Sequence, residues 1–296
     1  MKEKPFSKYQ ILANAVMIIW TLAIILPFIL LFMSSITDEN TLVANGYSFF
    51  PKKFSLASYS YIIKSGGQIL KAYGVSIGVT VVRTLLNVLL SALMAYPLSV
   101  KNLPGRNVMM FFVFFTMLFN GGIVPSYIMW TGTFHIKDTI FAQLLPNFLL
   151  SAWNVMMIRT YFTTSIPDGL YEAAEIDGAS QFTIFWKIVL PLGKPILVTM
   201  GTFAGLAYWN DWTNGLYYIV KNTGLYNVQN LLNQMVQNIQ FLTQSSNSNV
   251  TAAASTIPAT GIQMAIAFVA ILPIMLIFPS FQKYYAKGIA LGAVKG

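Results

Sequence analysis

Between Lys8 and Asp38 the chain carries no charged residue, and residues 11–35 are almost entirely apolar. In helical form, about 20 such residues cross the ~30 Å hydrocarbon core of a bilayer. The stretch is too long for the apolar region of a secretory signal and has no small-residue cleavage site. It therefore reads as a retained membrane span. Only 9% of the 296 residues are Asp, Glu, Lys or Arg, against about 25% in an average soluble domain. With 56% hydrophobic and 15% aromatic residues, the chain is too apolar to be disordered and too poorly charged to coat a soluble surface. The expected class is an all-α polytopic membrane protein, one transmembrane domain over residues 1–296.

Five further apolar stretches follow, at 74–100, 107–129, 139–158, 196–219 and 260–281, which predicts six transmembrane helices. An even number puts both termini on one side. Eleven of the 18 Lys and Arg residues fall on that side, among them Lys2, Lys4, Lys8, Lys101, Arg106 and Lys295. The positive-inside rule assigns it to the cytoplasm. The same rule accounts for the net charge of +9 as membrane topology, with no nucleic-acid partner. Three connections are long: 36–71 and 221–258 outside, and 160–195 in the cytoplasm. The outer 221–258 loop opens with an amphipathic stretch carrying Leu231, Leu232, Met235 and Ile239 and continues into a polar tract at 244–249. Its Asn249-Val250-Thr251 sequon is read as accidental.

The chemistry is bounded as tightly. With no cysteine and one histidine, His135, neither a disulfide nor a Cys- or multi-His metal site is available. No nucleophile–base constellation presents itself, and no Gly-x-x-x-x-Gly-Lys-Ser/Thr loop exists to cradle nucleotide phosphates. We expect no catalytic residue, no metal and no cofactor in this chain.

The cytoplasmic connection carries the strongest pattern. Ser165 and Asp168 are spaced like a capping box and Pro167 suits a first helical turn. Leu170, Ala173, Ala174 and Asp177–Gly178 then fall on one face of a short helix. Gly178 is a natural helix stop, Ser180 a cap for a second short helix, and Pro191 its end. Small side chains flanked by acids suit insertion into a partner's groove, whereas an anionic lipid surface would repel Glu172 and Asp177.

Glu172-Ala173-Ala174, then Gly178, then Ile188-Val189-Leu190-Pro191 at this spacing resembles the EAA loop of ABC importer permeases. The resemblance extends over most of the chain, including Ala95 to Ser99, Asn120 to Tyr127, Trp209-Asn210-Asp211-Trp212 and the tail from Gly288 to Gly296. It is similar above all to carbohydrate-uptake permeases for complex, often uronate-containing oligosaccharides of the alginate, aldouronate and rhamnogalacturonan type. The resemblance implies a type I ABC importer permease fold in a bacterial cytoplasmic membrane. It also implies coupling through Glu172, Ala173, Ala174, Asp177, Gly178, Ile188, Leu190 and Pro191 to separate ATPase subunits that bind ATP and Mg. The implied partners are a second homologous permease chain, two ATPase subunits, an extracellular solute-binding protein, the oligosaccharide substrate and membrane lipid.

Two charges fall inside predicted spans. Arg83 and Asp211 lie about nine and eight residues from the outer ends of spans two and five, roughly 12–13 Å deep at ~1.5 Å per residue. An Arg at such depth costs ~2.5–3.5 kcal/mol and must face protein or water. Either the two form an ion pair, or they face a translocation path in which Arg83 meets a sugar carboxylate. Trp209, Asn210, Trp212 and Asn214 crowd the same end of span five, a mixture of rings and amides that suits a saccharide path. An interfacial aromatic belt is the structural alternative. The competing functional class is an ion-coupled secondary transporter or channel, which would favour inverted repeats that are not evident here.

Overall fold

In a computed structural model the described residues are 8–64, 66–147, 149–244 and 259–293. The tract at 245–249 with its sequon, and Lys2, Lys4 and Lys295, lie outside them. Among the described residues there is no strand beyond one isolated bridge between Thr37 and Phe54. Three helices are long and apolar enough to cross a membrane: α1 (Lys8–Ser35), Gly67–Ser99 and Thr260–Ile277. The second and third belong to longer helices, Gly66–Ser99 and Ala259–Ala293. Residues of α1 such as Ile19 and Trp20 leave 65% of their surface exposed, as a span facing lipid requires.

The remaining predicted spans are not single helices. The stretch expected at 107–129 is bent by 106° between Arg106–Leu118 and Ile123–Thr133. Gly122 sits at φ +85° and donates its amide to Asn120 Oδ1 at 2.9 Å, a local turn that only glycine enters without strain. The stretch expected at 139–158 divides into Phe141–Leu144 and a later helix, Ala152–Ser165. Pro146 lies in the break, where it withdraws one amide from helical pairing. The stretch expected at 196–219 divides into Lys194–Trp209 and Thr213–Tyr218.

We number the intervening helices α2 (Glu39–Asn45), α3 (Ala57–Lys64), α4 (Gly66–Ser99), α5 (Arg106–Leu118), α6 (Ile123–Ile128), α7 (Phe141–Leu144), α8 (Ala152–Ser165), α9 (Asp168–Ile176), α10 (Gln181–Ile184), α11 (Leu190–Leu192), α12 (Lys194–Trp209), α13 (Thr213–Tyr218), α14 (Val228–Gln244) and α15 (Ala259–Ala293). They fall into two compact units, one drawn from Met1–Ile69 with Leu232–Pro273, the other from Leu70–Leu231 with Ile274–Gly296.

In the first unit Phe32 of α1 packs on Phe268 of α15, ring centroids 4.9 Å apart. Ser35 shares a 2.8 Å hydrogen bond with Tyr59. The Glu39 carboxylate accepts the backbone amides of Thr260 and Gly261 at 2.9 and 2.8 Å. It thereby supplies an acceptor and a negative charge to the first turn of α15, where the orphan amides and the helix dipole favour both.

The core of the second unit joins α4, α8, α12 and the loop helices. Ala92, Ala95 and Leu98 pack with Val155, Ile158 and Phe162, and with Ile184, Phe185, Val189, Ile196 and Met200. Small residues bring α12 close to α4: a Cβ on Gly201 would stand 3.1 Å from Val88, and one on Gly205 3.3 Å from Thr84. All the site residues discussed below belong to this unit.

Candidate functional site

The loop at 160–195 folds as two short helices closed by local bonds. Asp177 caps α9 and Gly178 follows at φ +75°. The Gly178 amide donates to Glu175 O at 3.0 Å and the Ala179 amide to Ala174 O at 2.9 Å. This paired closure needs a left-handed residue at position 178, which glycine adopts freely. Ser180 then accepts the Thr183 amide at 3.2 Å and caps α10. Two expectations for this loop fail. Ser165 and Asp168 make no capping box, because Ser165 still belongs to α8 and Pro167 itself occupies the cap position of α9 without a side-chain bond. Pro191 does not end the second helix: the turn runs on to Leu192 and bends by 77° at Gly193.

Burial divides the loop. Ala174 faces the core, while Glu172, Ala173, Asp177 and Gly178 stay exposed, and Ile188 and Leu190 are half-buried beside an exposed Pro191. Apolar groups share the open surface: Ile176, Phe182 and Trp186 are 86%, 66% and 44% exposed. Side chains tie the loop to the C-terminal end of α4. Tyr96 donates its hydroxyl to Gln181 Oε1 at 2.6 Å, and Gln181 donates to Glu175 Oε1 at 2.8 Å. The Lys101 ammonium bonds the Asp168 carboxylate at 2.5 Å.

Away from that loop the unit holds a buried polar cluster. Arg83 has no exposed surface. Its Nη1 donates to Asp211 Oδ2 at 2.7 Å, and its Nη2 to the carbonyls of Pro146, at 2.9 Å, and Asn147. Its guanidinium carbon lies 4.2 Å from the centre of the Tyr208 ring. Asp211 Oδ1 accepts the amides of Thr213 and Asn214 and the Thr213 hydroxyl, starting α13. Asn214 donates to Pro146 O at 3.0 Å and accepts from Asn147 at 2.9 Å. Asn87 donates to Leu149 O at 3.1 Å and accepts from Asn154 at 2.6 Å.

The break between α7 and α8 explains this cluster. Carbonyls released from helical pairing at membrane depth have no water to bond, and each buried orphan costs ~1–3 kcal/mol or more. Pro146, Asn147 and Leu149 present three of them. Arg83, Asn87 and Asn214 satisfy all three, which together outweighs the ~2.5–3.5 kcal/mol of placing one Arg at that depth.

The structure thus brings Arg83, Asp211 and Asn214 together and separates their sequence neighbours from them. Trp209 is buried, its ring 6.4 Å from that of Tyr73. Asn210 is exposed, with Gln229 donating to its carbonyl oxygen at 3.2 Å, and Trp212 is 40% exposed. Sequence reading missed Asn87, Asn154 and Tyr208. A signal existed: Arg83, Asn87 and Ser91 recur every four residues on one face of α4 and are all buried.

One further polar anchor lies in the connections before α7 and after α13. Asp138 Oδ1 accepts the amides of Val220, Lys221 and Asn222 at 2.6, 2.7 and 3.2 Å. Partial burial pushes its carboxyl up, but the three amides and neighbouring Lys137 outweigh that and hold it below the usual carboxylate range. Among the described residues no three His, Cys, Asp or Glu side chains converge on a metal position.

An exposed, acid-flanked helix pair on one end of a membrane unit is the arrangement of a subunit that docks onto another. Residues 72–291 match the family model described as binding-protein-dependent transport system inner membrane component. The chain belongs to that family. The permease is 36% identical over 272 residues to the protein LplC of Bacillus subtilis (strain 168), covering 92% of this chain and 90% of that one. It is 35% identical over 288 residues to the polygalacturonan/rhamnogalacturonan transport system permease protein YtcP of the same organism, covering 97% and 98%. Its fold is similar to the crystal structure of a bacterial ABC transporter involved in the import of the acidic polysaccharide alginate. The TM-score there is 0.79 and the identity 26%, over 95% of this chain and 100% of that one. The protein is an ABC importer permease subunit from a family of transport proteins with no catalytic role, and the ion-coupled alternative finds no support.

Proposed function

We propose that this permease forms half of the translocation path of an ATP-driven importer for acidic oligosaccharides in a bacterial cytoplasmic membrane, with six spans and both termini inside. Two separate ATPase subunits bind the ATP and Mg, a second homologous permease completes the path, and an extracellular solute-binding protein delivers the substrate. The observation that carries this reading is the exposed surface of α9 and α10. Glu172, Ala173, Asp177 and Gly178 stand there beside Ile176, Phe182 and Trp186, a docking face with apolar anchors and an acidic rim. Ile188, Leu190 and Pro191 follow farther along the chain, the first two half-buried and Pro191 exposed. The substrate class rests on relatives whose names refer to polygalacturonan, rhamnogalacturonan and alginate.

Within the path, Arg83, Asp211 and Asn214 hold the broken spans, while the exposed Asn210 and Trp212 border the entrance and Trp209 packs beside Tyr73. The test is co-purification of the ATPase subunits with the permease. Glu172→Lys reverses a charge on the docking face and is expected to lower ATPase recovery while leaving membrane insertion intact. Undiminished recovery would remove Glu172 from the contact, and failure of the unmutated permease to retain any ATPase would refute the reading.

A further inference from the structure

Two arginines stand at the ends of apolar stretches. Arg106 opens α5 just before the stretch at 107–129, and Arg159 follows the stretch at 139–158 by one residue. Such ends lie at the level of the lipid head groups. Packing brings the two side chains together. Arg106 shares one face of α5 with Met110 and Val113, four and seven residues on, and those two pack into the core with Val155 and Ile158 of α8. Arg159 adjoins Ile158 and donates its Nε to Leu98 O, near the end of α4, at 3.2 Å. Burial, and then the charge of Arg106, lower the Arg159 guanidinium from its ordinary value. Two like charges therefore act on each other where α4, α5 and α8 meet.

Nothing among the described residues answers that charge. The ion pairs there join Lys53 to Asp38, Arg83 to Asp211 and Lys101 to Asp168, so neither Arg106 nor Arg159 has a carboxylate. Arg106 Nε is buried without a hydrogen-bond partner, a costly state for a charged donor. Both side chains are only half-buried, so part of each guanidinium stays accessible. An anion with several acceptor oxygens would satisfy both forks at once and turn their repulsion into attraction, and a phosphate does so by paired N–H···O bonds. The neighbouring surface narrows the choice. From Arg106, α5 runs on with Val108, Met109 and Phe112 exposed by 59%, 40% and 61%, an apolar wall suited to acyl chains. Free phosphate would leave that wall unused, and a zwitterionic lipid brings a cation of its own to two guanidiniums. A phospholipid with net negative charge uses both features, as basic pockets between membrane helices do.

We propose that Arg106 and Arg159 form a binding site for one anionic phospholipid, its phosphodiester shared between the two guanidiniums and its acyl chains laid along α5. The test uses the full-length permease in detergent, with dioleoylphosphatidylglycerol and dioleoylphosphatidylcholine as probes and native mass spectrometry as the readout. The first phosphatidylglycerol is expected to bind about tenfold more tightly than phosphatidylcholine, and excess inorganic phosphate is expected not to displace it. Arg106→Gln with Arg159→Gln is expected to bring the two lipids within about twofold of each other. Arg106→Lys with Arg159→Lys keeps both charges without the forked donors and is expected to retain about threefold. Lys101→Ala removes a positive charge just beyond the same end of α4 and is expected to keep the full preference.

Equal binding of the two lipids by the unmutated chain would overturn the site. So would a preference that survives the double glutamine exchange, or one that Lys101→Ala abolishes as fully. Displacement of phosphatidylglycerol by inorganic phosphate would also overturn it, leaving a site for a free anion. If the double glutamine exchange instead costs ATPase co-purification and leaves the lipid preference intact, the pair serves a protein carboxylate and the lipid site is refuted.

Discussion

The loop after Ser165 and the cluster around Arg83 both interrupt helices, and they do it by opposite means. In the loop, Gly178, Ala179 and Ser180 close α9 and open α10 with bonds to residues three to five positions away. The acids and rings of the surface are left for a partner. In the cluster, the carbonyls of Pro146, Asn147 and Leu149 are satisfied from 62 to 68 residues away, and the Arg83–Asp211 pair spans 128. Water makes the difference. Where water reaches the backbone, a helix end needs only local help; at membrane depth each orphaned carbonyl must recruit a side chain from another helix. The loop surface is therefore left open, as the proposed coupling role requires, and the cluster is committed to holding the fold.

Breaking the cluster is expected to have the largest effect. Arg83→Leu leaves Asp211 charged and the Asn147 carbonyl unpaired, and is expected to cost ~3–5 kcal/mol, read as a large fall in the thermal unfolding midpoint of the detergent-purified permease. The double exchange Arg83→Asp with Asp211→Arg restores a charge pair but not the bonds to Pro146 and Asn147. It is expected to recover stability in part, and full recovery would reduce the cluster to a simple ion pair. Next in size, Asn214→Leu removes one donor to Pro146 and one acceptor for Asn147, for a loss of ~1–3 kcal/mol in the same measurement.

At Asp138 the effect is one of pH. The folded Asp138 carboxyl titrates below its unfolded value of about 3.9, so its contribution is present above that pH and lost as pH falls through the folded value. Asp138→Asn is expected to flatten the acid side of the stability profile, and an unchanged profile would show the amide clasp to be inconsequential. Smallest is Lys101→Ala. Both partners of the Lys101–Asp168 pair are more than half exposed, which limits the loss to ~0–1 kcal/mol.

The same contrast governs what the sequence made legible. Gly178 as a stop and Ser180 as a cap were readable because their bonds close within a turn. The first span was readable because apolarity alone specifies it. The breaks in spans three, four and five were not, since continuous apolarity at 107–129 and 139–158 conceals turns whose cost is met elsewhere in the chain. Pro146 marked one break locally, but its consequence, the recruitment of Asn87 and Asn214, is a tertiary fact. Equal depth brought Arg83 and Asp211 within reach of each other on paper. It could not show that Arg83 also serves two carbonyls, or that Trp209, Asn210 and Trp212 turn to different surroundings.

The division between a fold-holding cluster and a coupling loop is tested most directly by substrate-stimulated ATP hydrolysis in a complex assembled with Gly178→Leu. A leucine at φ +75° strains the loop by ~1–2 kcal/mol and intrudes on the docking face, without touching the Arg83 cluster. The expected result is a complex that inserts and assembles at normal yield, melts close to the unmutated one and has lost most of its substrate stimulation. Full stimulation in a normally assembled Gly178→Leu complex would contradict the coupling role of the loop.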